Sequence, residues 1–232
     1  MTDYLLLFSV VVAGGLTALF IKKYQKWLPY LISFSGGYLF AIIIFHLLPE
    51  IFGHPVHHEH LHEYSPKTVG VFILLGLLFQ MFLEYFSRGV EHAHTHSHGS
   101  GLTLGVILGL FLHAFTEGLP VHQLHDHAYL YGILVHKFPI ALVLTSFLIH
   151  TGLKMRQILI LLILFALMTP LGTLVGEKIE FLVENHVYVS AFVAGLLTHI
   201  STAIIFETDT SHRIPLKKLL VIILAFILAY LN

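Results

Sequence analysis

A chain of 232 residues that is 56% hydrophobic and only 11% charged, with mean hydropathy +0.85, is excluded from the soluble globular class, where about 25% of residues are charged. Its formal net charge of −1 names no partner, neither nucleic acid nor an anionic surface, and its lack of cysteine excludes disulfides and thiolate metal sites. The apolar stretches leave no length for a separate soluble domain, so residues 1–232 read as a single all-α transmembrane domain.

A helix needs about 20 apolar residues to cross the hydrocarbon core, and eight stretches approach that demand. The first, 4–21, has neither a basic run before it nor a small-residue cleavage site, and reads as a retained helix rather than a signal peptide. Lys22, Lys23 and Lys26 follow it, and the second, 30–51, closes on His46-Leu-Leu-Pro49-Glu50. A histidine-rich loop at 53–68 carries His54, His57, His58, His60 and His62; after the third stretch, 69–87, a second such loop at 88–100 carries His92, His94, His96 and His98 beside Arg88. The fourth stretch, 102–122, sets Gly101, Gly105 and Gly109 on one ridge, a spacing that lets helix backbones approach in lipid, and continues to His113 and Glu117. A few polar residues around Gln123–His127 join it to the fifth, 128–150, which carries His136 and Lys137 mid-span and His150 at its end. So short a loop predicts an antiparallel pair. Lys154 and Arg156 precede the sixth stretch, 157–176; Lys178 sits among Glu177, Glu180 and Glu184; the seventh, 187–206, holds His199 and is followed by Glu207; Arg213, Lys217 and Lys218 introduce the eighth, 215–231.

Basic residues collect after stretches one, three, five and seven, with only Lys67 and Lys178 on the other side. The positive-inside rule then places both termini and the 53–68 loop outside, and the 88–100 loop in the cytoplasm. The compact length suggests the plasma membrane of a bacterium. A faint echo between His46–Glu50 and Ala203–Glu207, on spans of opposite direction, is the pattern inverted repeats would leave.

An ionisable group at mid-bilayer costs roughly 2.5–3.5 kcal/mol on insertion scales and is rarely present without a function. His113 and Glu117 are four apart and share a helix face, and His136 and Lys137 fall at matching depth on the next span. Imidazole and carboxylate suit zinc and, less selectively, iron(II), manganese or cadmium. We therefore take His113, Glu117 and His136 as the candidate metal ligands. Glu50, His122, His150 and Glu207 are pathway candidates at the two mouths, and His46 or His199 a candidate fourth ligand. The histidine-rich loops hold donors for loose capture of metal.

The whole chain resembles the ZIP (Zrt/Irt-like) family of metal-ion transporters. The family's fourth-helix pattern, His-Asn/Ser-x-x-Glu/Asp-Gly, is similar to His113-Ala114-Phe115-Thr116-Glu117-Gly118; its fifth-helix pattern, His/Gln-x-x-Pro-Glu-Gly or His-Glu-x-x-His-Glu, to His136-Lys137-Phe138-Pro139-Ile140-Ala141; and its second-helix His-Leu-Leu-Pro-Glu to His46–Glu50. The resemblance implies eight helices in a 3+2+3 arrangement, external termini, homodimer formation, no cofactor, and a divalent cation, zinc first, carried into the cytoplasm. Many members hold two metals, using an Asn, an acid or amide, and a Glu where this chain has Ala114, Lys137 and Ile140. Some eukaryotic members have His-Lys at the same point. The expectation is a mononuclear site in which the Lys137 ammonium stands where a second metal would lie and pairs with Glu117. The competing readings are a zinc-dependent intramembrane hydrolase resembling the progestin/adiponectin-receptor proteins, which would hold zinc tightly beside a catalytic acid, and a haem electron carrier using His113, His136 and His199.

Overall fold

The computed structural model describes residues 1–21, 24–53, 65–89, 104–124, 127–206 and 215–232, and among them every regular element is helical. In chain order the main helices are α1 (Thr2–Phe20), α2 (Leu28–Phe52), α3 (Pro66–Gly89), α4 (Leu104–Thr116), α5 (Ala128–His150), α6 (Met155–Lys178), α7 (His186–Phe206) and α8 (Leu216–Tyr230). All except α4 and α8 are long and apolar enough to cross a membrane. Those two are apolar but run for only 13 and 15 residues. Hydropathy had joined residues 102–122 into one span, yet the helix stops at Thr116. Pro120 has no N–H to continue the ladder and its ring excludes the preceding turn, so Glu117–Gln123 forms a series of turns instead, with Gly118 N donating to Phe115 O and Leu119 N to Thr116 O (both 3.1 Å).

The same chemistry shapes the other helices. Pro49 blocks the regular bond to the carbonyl four residues back, and α2 takes up a π-helical turn over Ile43–Leu47 just before it. Helix α5 ends where Gly152 adopts the left-handed φ of 75°. At the start of α6 the Lys154 N–H donates to Gln157 Oε1 (2.9 Å).

Neighbouring helices pair in parallel. Phe72 stacks on Tyr188 and Phe79 meets Phe192 along α3 and α7, while Phe40 meets Phe226 and Phe45 meets Tyr230 along α2 and α8. Helix α1 packs against α5 and α6 around Val11, Ala141, Leu162 and Phe165. Helices α4 and α5, expected as an antiparallel pair, bring His113 and His136 together while their backbones make almost no close approach; α4 leans on α6 and α3, and α5 on α1 and α2. The imidazoles and the lysine between α4 and α5 fill the space that would otherwise close.

A contact that leaves no room for a Cβ lies between α6 and the end of α4. A Cβ at Gly172 would sit 1.9 Å from Phe115 O, and one at Gly176 2.0 Å from Leu119 O. Small residues permit this approach in lipid, where packing rather than hydrophobicity joins helices. Gly172→Ala must push the end of α4 away from α6; we expect a loss of about 1–3 kcal/mol, read as a lower thermal unfolding midpoint in detergent.

Candidate metal site

His113 lies on the last turn of α4 and Glu117 begins the turn that follows it, with Glu117 N still donating to His113 O (3.1 Å). The helical offset of four therefore survives the break at Thr116, and His113 Nε2 stands 3.2 Å from Glu117 Oε2. From α5, His136 presents its ring perpendicular to that of His113, with centroids 6.1 Å apart. One donor atom from each of His113, Glu117 and His136 falls within 4.8 Å of the others. A tetrahedral ion with bonds of about 2.0–2.1 Å spaces its ligands by about 3.3 Å. The His113–Glu117 pair already has that spacing, and a modest side-chain rotation brings in His136. Neither ring nitrogen of His136 meets a hydrogen-bond partner among the described residues.

All three side chains are buried, as is Lys137. The Lys137 ammonium pairs with Glu117 Oε1 and rests 4.9 Å from the centre of the Phe165 ring on α6. Burying a carboxylate and an ammonium costs several kcal/mol per ion, which the mutual pairing must offset; the aromatic face adds about 2 kcal/mol when water is excluded. Lys137 does not reach out to a lipid interface.

Three side chains that sequence reading missed hold the backbone of this site. The buried Tyr129 hydroxyl donates to Glu117 O at 2.7 Å, taking a carbonyl outside the regular helix ladder. Thr169 and Thr173 of α6 donate to Ala114 O (2.9 Å) and Gly118 O (3.0 Å). Tyr129 lies two helical turns before His136, so α5 fixes both the backbone of one candidate ligand and the ring of another. The legible signal was the Thr169-x-x-Gly172-Thr173-x-x-Gly176 face of α6, polar and small within an apolar run. Tyr129→Phe keeps the ring and leaves Glu117 O unpaired. The expected result is a loss of about 1–3 kcal/mol of stability and about 10–100-fold in metal affinity, measured by unfolding and by zinc titration.

The remaining candidates are dispersed. His46 Nε2 lies 3.0 Å from Ala229 O on α8, and His199 Nε2 lies 3.8 Å from Glu84 Oε2 on α3; neither joins the three-residue group. His122 belongs to an ion-paired knot at the bundle end formed by the start of α1 and the end of α6. Its Nδ1 faces Glu177 Oε2 and its Nε2 faces Asp3 Oδ2, each at 3.1 Å, while Tyr4 donates to Glu177 (2.6 Å). His150 Nδ1 donates within α5 to Ser146 O (2.7 Å). Glu50 lies on the last turns of α2. Glu207 and the loop histidines at 54–62 and 92–98 lie outside the described residues.

A cavity of about 440 Å³ adjoins the group on the opposite side from His122. It reaches from His113 and His136 to Ile32, Phe147 and Ile204, and Lys218 donates to the Ile204 carbonyl (3.2 Å). Gly109, from the small-residue ridge, lines it. The two imidazoles face this space, whereas Glu117 and Lys137 lie behind them.

Comparison with known proteins gives one consistent family. Residues 91–231, more than half of the chain, match the family model described as ZIP zinc transporter. A protein named zinc transporter ZIP9 from Micropogonias undulatus is 30% identical over 123 residues, 49% of this chain and 40% of that protein. Zinc transporter ZIP9-B from Xenopus laevis is 30% identical over 126 residues, 50% of this chain and 42% of that protein. Zinc transporter ZIP9 from Xenopus tropicalis is 29% identical over 123 residues, 49% and 41%. The matched stretch thus spans about two fifths of the length of these relatives. They are animal proteins, so the bacterial membrane suggested by chain length has no support from them.

Proposed function

Because the chain belongs to the ZIP zinc transporter family, we propose that it carries a divalent transition-metal ion, zinc before iron(II), manganese or cadmium, into the cytoplasm through one site made of His113, Glu117 and His136. The observation that carries this reading is the convergence of two imidazoles and a carboxylate, from two separate segments, within 4.8 Å of one another at a position shielded from lipid. Three protein ligands leave a fourth position to water, and an exchangeable position is what a carrier needs in order to release its cargo. Membership of a transporter family, not an enzyme family, sets aside the hydrolase reading.

In this account the eight helices α1–α8 all span the plasma membrane, with both termini outside, and the protein is a homodimer. Metal passes Glu50 and the outer histidines, rests on the three ligands, and leaves by the cavity past Glu84 and His199 toward His150 and Glu207. The histidine-rich loops collect ions on one side and buffer them on the other. Lys137 occupies the place of a second metal: its charge beside Glu117 repels a second cation and holds that carboxylate ready for the first. Histidine ligands bind metal only when neutral, so zinc binding weakens as the pH is lowered.

The test is uptake of zinc, cadmium, manganese and iron(II) in turn into proteoliposomes of the purified chain. Saturable zinc uptake is expected, falling with acidification on the side that loads. Vesicles that take up no metal of the four refute the reading.

A further inference from the structure

We infer that the cavity beside the imidazoles is a binding site for a single-chain amphiphile with a carboxylate head, in the manner of a medium-chain fatty acid, and that such a ligand plugs the metal's way out. The inference deepens the transport reading and rests on it for one step, the contact between head and metal.

The chemistry of the wall carries it. A path used only by a hydrated ion should be polar, yet the α5 side of this cavity is Pro139, Ile140, Val143, Leu144 and Phe147, and α7 adds Ile200 and Ile204. Among all its lining residues only Ser35, Gln80, Glu84, His113 and His136 are polar. A cavity with so few polar groups holds water poorly, and its 440 Å³ falls within the range of about 300–1,000 Å³ typical of small-molecule sites, which are likewise apolar with a few convergent polar groups. Ile140 is part of the cause: it stands where the family pattern has an acid, so the apolar wall is a property of this chain.

Charge fixes the orientation. Glu84 on the α3 wall repels a carboxylate. On the α4–α5 wall are the two imidazoles, with Lys137 behind them, and the buried ring nitrogens of His136 have no partner among the described residues. A carboxylate head belongs there, with its tail along Ile140, Val143 and Phe147. A metal ion on His113, Glu117 and His136 would turn its open position toward the same space, and the head would complete its coordination.

The test is photolabelling of the full chain in nanodiscs with a ten-carbon fatty acid carrying a diazirine, read by peptide mapping, with and without zinc. The expected result is labelling of 139–147 and 200–204 that decanoate competes away, decanol does not, and zinc strengthens. Val143→Trp, which fills the space, and Val143→Asp, which puts a charge on the wall, should each cut labelling by about tenfold or more; Val143→Leu should keep it. Labelling that survives in both of the first two, that is lost in all three, or that decanol competes equally well overturns the inference. Labelling indifferent to zinc leaves the cavity site standing and removes the metal assignment. Zinc bound through His113 and His136 with no labelling at all does the reverse.

Discussion

Replacing Lys137 by methionine should destabilise the metal-free protein by about 3–5 kcal/mol, the cost of leaving one member of a buried ion pair without its partner. Glu117 is fully buried, and the Lys137 ammonium is the only full cation the structure places against it among the described residues. Methionine keeps the length and apolar volume of the stem, so the packing against Phe165 changes little while the charge is lost. The account further predicts that zinc restores the stability, because the ion neutralises the same carboxylate. At a free concentration a hundred times the dissociation constant, binding alone adds about 2.7 kcal/mol. Unfolding measured with and without zinc checks both parts. The parent chain should gain less from zinc than Lys137→Met does. If the variant is as stable as the parent without metal, Lys137 is not a structural counter-charge to Glu117. Lys137→Asn or Lys137→Glu carries the complementary test: with an oxygen donor in place of the cation, zinc stoichiometry should rise toward two per chain.

His136→Ala should lower zinc affinity by more than about a hundredfold, exceeding the 10–100-fold typical of residues that only support a ligand, and should abolish saturable uptake. His136 comes from α5, whereas His113 and Glu117 come from the end of α4 and its turn, so its removal leaves a pair from one segment that cannot bridge the two. The comparison with Tyr129→Phe is informative. That change leaves all three donors present and loosens only the backbone of Glu117, so it should weaken binding less than His136→Ala does. His46→Ala and His199→Ala should have smaller effects still, since the first side chain lies against Ala229 O and the second near Glu84. A variant of His199 that matched His136→Ala would place the ion elsewhere.

The membrane character and the shared face of His113 and Glu117 were legible in the sequence because both rest on local rules: hydropathy needs only length and composition, and an offset of four on a helix needs only 3.6 residues per turn. The meeting of α4 and α5 residues was read from loop length, and His113 does meet His136, but the two backbones pack more closely on other helices. A short loop fixes which ends are near, but the bulky His113, His136 and Lys137 side chains keep the two backbones apart. The length of α4 was misjudged because a hydropathy average over a span is insensitive to single residues such as Gly118 and Pro120, and Pro120 ends a helix for reasons of backbone geometry. His46 and His199 meet Ala229 O and Glu84 instead of the three-residue group, since the rotation of a helix is set by its partners and is not visible in a sequence. Tyr129, Thr169 and Thr173 act through hydrogen bonds to carbonyls around the break at Thr116, and nothing in the sequence pairs them until the chain is folded.

The most direct measurement is anomalous scattering at the zinc edge from crystals of the zinc-loaded protein. The account predicts one peak, about 2.0–2.2 Å from a nitrogen of His113, a nitrogen of His136 and an oxygen of Glu117, with the Lys137 ammonium beside it and no second peak there. A peak that touches none of these three side chains, or two peaks side by side at Lys137, would contradict it.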